Sequence, residues 1–101
     1  MAASRPKYHS FNRGEAESLA IDALAFIASE ETLLARFVAA TGYDLAGIRA
    51  EAGSPYFLAG VLDFLLGDES LLLVFAGHGG TDPASIGAAR RALLSGSPEA
   101  E

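Results

Sequence analysis

Displaced by 38 positions, the chain matches itself. Leu24, Phe26, Glu31, Leu33, Leu34, Phe37, Gly42, Asp44, Ala46, Ile48 and Ala50 fall on Leu62, Phe64, Glu69, Leu71, Leu72, Phe75, Gly80, Asp82, Ala84, Ile86 and Ala88. The coincidences fall mostly on apolar face positions and turn residues, as expected when one supersecondary unit occurs twice. Two tandem three-helix units, about 15–53 and 54–95, account for them most simply. The predicted fold is all-α: six short helices in one compact orthogonal bundle.

The punctuation between apolar runs agrees with that division. A first helix from Glu15 to Ala28 places Leu19, Ala23, Leu24 and Ile27 on one stripe. Ser29 is its expected successor's N-cap, followed by Glu30 and Glu31 where the helix dipole favours acids. Leu33, Leu34, Phe37 and Val38 lead to Gly42, a C-terminal stop. Asp44 opens a third helix carrying Leu45 and Ile48. Ser54-Pro55 is an N-cap with proline at the first helical position, where its missing N–H is harmless. Phe57, Leu58, Val61, Leu62 and Leu65 then run to Gly67. Asp68 caps a helix predicted over 70–76, the run 77–80 (Gly-His-Gly-Gly) reads as a turn, and Asp82-Pro83 opens a last helix with Ile86, Ala89 and Leu93 inward.

Composition narrows what such a bundle can do. The chain of 101 residues has no cysteine, so apolar packing must hold it together without disulfides or thiolate chemistry. Its net charge is −6, and the basic residues Arg5, Lys7 and Arg13 gather in a segment, 1–14, expected to be a flexible arm, with 96–101 expected as an acidic tail. An acidic body lacks the basic face of a nucleic-acid-coating protein. The arm interleaves basic and aromatic residues, but so few charges suit a loose terminus better than a nucleic-acid contact. Residues 1–10 hold no apolar core of a secretory signal. The apolar window 57–76 contains Asp63, Asp68 and Glu69, which a membrane span would exclude. A cytoplasmic protein without a membrane span is the expectation.

No catalytic constellation emerges. His78 among glycines resembles an esterase oxyanion loop only superficially, since no Gly-x-Ser-x-Gly elbow accompanies it. Asp63, Asp68, Glu69 and His78 supply oxygen and imidazole donors and define the alternative reading, a small metal-binding protein or enzyme. Cap and first-turn roles explain Asp68 and Glu69 without a metal. Asp63, opposite Ala25 in the other unit, has no such explanation. Arg90 and Arg91 suit the negative pole of the last helix. No cofactor, metal or catalytic residue is expected.

The informative difference between units lies in their second helices. Ala35 and Arg36 are replaced by Leu73 and Val74, which makes 71–75 apolar on every side. A helix without a polar face needs burial all round, at the domain centre or against a partner. A small body has little room to enclose it. The expectation is therefore a homodimer, or a protein-interaction module, with Leu65, Leu66, Leu73 and Val74 as interface residues.

The chain also resembles a family of short helical bacterial proteins, frequent in alphaproteobacteria and known only as a domain of unknown function. The resemblance spans about 15–94 and rests on the runs 23–26, 37–45, 57–72 and 80–83. Its most specific block is 62–72, where helix, break, cap and helix follow in one order. It implies an all-helical fold in a bacterial cytoplasm and assigns no site residues.

Overall fold

In a computed structural model, which describes residues 11–95, every regular element is a helix. They are α1 (Arg13–Ala28), α2 (Glu31–Thr41), α3 (Leu45–Glu51), α4 (Pro55–Leu66), α5 (Glu69–Gly79) and α6 (Pro83–Leu94). The expected arm lies mostly outside the described residues, as does the acidic tail. Its inner end is ordered: Phe11 packs on the core, and Asn12 forms a reciprocal capping box with Glu15.

Local chemistry explains most boundaries. Asp44, Ser54, Asp68 and Asp82 each accept a hydrogen bond from a backbone N–H of the helix they precede, satisfying donors that have no helical partner. Gly42 and Gly80 stop α2 and α5 in the left-handed region, at φ 81° and 67°. Two expectations need correction. Ser29 is not the cap of α2: its N–H and hydroxyl both bond back into α1, the hydroxyl donating to the Phe26 carbonyl at 2.7 Å. Once committed to the preceding turn, it leaves Glu30 at the N-cap of α2, with no side-chain cap hydrogen bond. Nor is 77–80 a turn. The helix continues through Gly77, His78 and Gly79, because only Gly80 must take the left-handed conformation.

The core is built on α4, whose Phe57, Leu58, Ala59, Val61, Leu62 and Leu65 are buried. α6 lies against it through Ile86, Ala89 and Leu93, and α1 packs on both helices. α1 approaches with Ala16, Ala20, Ala23 and Ile27; of the expected stripe Ala23 and Ile27 are buried, while Leu19 and Leu24 stay half-buried at the flanks of the core. Small side chains let helix axes come close.

This packing crosses the boundary between the two repeated segments. Phe26 on α1 meets Phe75 on α5 at 5.3 Å between ring centroids, and Phe64 on α4 meets Phe37 on α2 at 5.4 Å. Under the 38-residue shift these are the same pair with units exchanged. Each unit's second helix thus reaches the other unit's first. The third helices do not correspond in this way. α6 packs on α1 and α4, whereas α3 is short and neither of the equivalent packings, α3 on α1 or on α4, is among the main ones.

Candidate functional site

An exposed aliphatic surface is the first candidate. On α5, Leu71, Phe75 and Ala76 face the core, and Leu73 and Val74 point outward, 51% and 57% exposed. The helix that reads as apolar on every side is therefore buried on one side only. Of the predicted interface residues, Leu73, Val74 and the partly exposed Leu66 reach the surface. Leu65 does not. It is enclosed in the chain's own core because the same face of α4 carries Leu58, Val61 and Leu62, so it offers nothing to a partner.

A groove between α1, α2 and α3 is the second. Its volume is about 260 Å³, and Ile21, Leu24, Ala25, Ala28, Leu34, Leu45, Ile48 and Arg49 line it. Arg49 is the sole polar lining side chain. At the rim, Ile21 and Leu45 are 42% and 55% exposed. On α1, Ile21, Leu24, Ala25 and Ala28 follow helical spacing, forming a second stripe beside the alanine stripe that faces the core. Sequence reasoning missed this site by assigning Leu24 to the core. The signal was available: one helix with two apolar stripes has more greasy face than one core contact covers.

The origin of the groove follows from comparing the units. The Asp63 carboxylate accepts a hydrogen bond from the Arg90 guanidinium, an ion pair that ties α4 to α6. That pair accounts for Asp63 and takes Arg90 away from the helix pole. The corresponding positions on α1 and just after α3 are Ala25 and Ala52. Leu45, too, stands where the second unit has Pro83. With no tie and no long third helix, α3 stays apart from α1, and the seam that α6 closes remains open.

The four residues of the metal or enzyme alternative are not gathered. Asp63 is held by Arg90. Asp68 caps α5 and accepts a 2.9 Å hydrogen bond from Arg36, whose guanidinium also lies 5.6 Å from the Phe64 ring centroid. The Arg36 hydrogen bond, then the Leu71 N–H, hold the Asp68 carboxyl below its ordinary range. Glu69 and His78 occupy opposite ends of α5, about 14 Å apart along its axis. Among the described residues, no three His, Asp or Glu side chains form a group able to hold a metal ion, and no helix is long and apolar enough to cross a membrane.

The model of the family described as "Protein of unknown function (DUF3572)" matches residues 13–96. No curated protein and no solved structure matches the chain.

Proposed function

We propose, for a chain that belongs to the DUF3572 family of proteins of unknown function, the role of a non-enzymatic interaction module of the bacterial cytoplasm that pairs with a second copy of itself through α5. The carrying observation is the adjacency of Leu73 and Val74, two aliphatic side chains more than half exposed on a helix whose other face is buried. Full burial of such a side chain is worth about 1.5–3 kcal/mol, so roughly half of that remains to be gained at each position. Paired residues exposed in this way mark association surfaces more readily than single scattered ones.

Light scattering after gel filtration, over a concentration series, tests this reading. The wild-type chain elutes as a dimer, and Leu73→Glu, which perturbs no core contact, elutes as a folded monomer with unchanged helical circular dichroism. A wild type that stays monomeric at the highest soluble concentration overturns it.

A further inference from the structure

We infer that the α1–α3 groove is the receptor for α5 of a second copy, so that each of two chains inserts Leu73 and Val74 into the other's groove. This rests on the self-association proposed above and goes further by naming the surface that α5 meets.

Three observations converge on that occupant. The first is charge. Arg49 sits in an otherwise apolar groove and enters no ion pair among the described residues. Glu69 is exposed and likewise enters none. It precedes Leu73 by four residues, so the acid lies one turn before Leu73 on the same side of α5, with Val74 further round the helix. Seating Leu73 and Val74 in the groove brings a carboxylate to a helix face that carries an unmatched guanidinium. The second is shape. The groove has room for two branched aliphatic side chains, and Ile21 and Leu45 stand exposed at its rim, where a helix laid over the groove would cover them. The third is Gly77, one turn beyond Leu73 on the outer face of α5. Glycine weakens a helix interior, and a Cβ placed there would meet nothing within 4 Å in its own chain. The monomer therefore has no steric use for it. That open face leaves room for a partner's backbone to approach.

Reciprocal insertion uses each feature twice and closes with two-fold symmetry, which stops growth at two copies. The internal duplication makes this arrangement familiar to the chain. Within one molecule the second helix of each unit already reaches across to the other unit, as Phe26–Phe75 and Phe37–Phe64 show.

The test uses the full chain and measures its dimer dissociation constant by analytical ultracentrifugation. Arg49→Glu and Glu69→Arg each place like charges together and weaken the dimer by about tenfold or more. The double variant restores affinity towards wild type. Ile21→Glu, at the groove rim, weakens it as well, and all variants keep the circular dichroism of the folded monomer. If Leu73→Glu abolishes the dimer but Arg49→Glu and Ile21→Glu leave it intact, the groove is not the receptor; the inference fails while self-association through α5 stands. A ladder of species growing with concentration overturns reciprocal closure. A wild type that never dimerises removes both.

Discussion

Asp68 shows how much one side chain can connect. Its Oδ1 accepts from the Leu71 N–H at the start of α5, and its Oδ2 accepts from Arg36 on α2. Both bonds favour the ionised form, which is why its carboxyl sits below the ordinary aspartate value of 3.8. A carboxyl depressed on folding contributes its stability fully above that ordinary value and loses it as pH falls through the lower, folded value. Urea denaturation at a series of acidic pH values should therefore show the wild type losing its advantage over Arg36→Ala below about pH 3.8, leaving a smaller, pH-independent difference from the guanidinium over Phe64. Gly80 carries a separate constraint. At φ 67° it occupies the region that L side chains avoid, so Gly80→Ala should lower the unfolding free energy by about 1 kcal/mol although no atom obstructs the new methyl.

At the level of elements, α1 and α5 each serve two surfaces. α1 presents Ala16, Ala20, Ala23 and Ile27 to α4 and α6, and Ile21, Leu24, Ala25 and Ala28 to the groove. Enlarging the first stripe should be costly: Ala20→Leu forces the helices apart and destabilises by about 1–3 kcal/mol in denaturant melts, despite leucine's good helix propensity. The caps of α3, α4, α5 and α6 are legible in the sequence, because Asp44, Ser54, Asp68 and Asp82 act within two or three residues of themselves. Ser29 misleads by the same logic. A hydroxyl can bond backwards as readily as forwards, and only the geometry of the α1 terminus chooses.

For the molecule as a whole, the two repeated segments are interleaved. α1 finds its principal partners, α4 and α6, in the other half, and Phe26 and Phe37 meet Phe75 and Phe64 there. Peptides covering 13–53 and 54–95 should each lack a cooperative thermal transition alone, since neither half encloses its own aromatic pairs. Mixed in equal amounts they should recover helical circular dichroism and a melting transition. Independent folding of 13–53 would contradict the interleaved core.

Alone, the sequence determined helix type, most boundaries and the buried faces of α4 and α6, because capping, glycine stops and helical periodicity act over a few residues. It also singled out Leu73 and Val74 as unusual. Tertiary structure decided which apolar surplus stays exposed: Leu65 inward, Leu73 outward, and a groove where Ala25 and Ala52 replace the Asp63–Arg90 tie. Those outcomes depend on which helix faces meet and, for the groove, on how far α3 stands from α1, both set by contacts between residues remote in sequence, which no local pattern encodes.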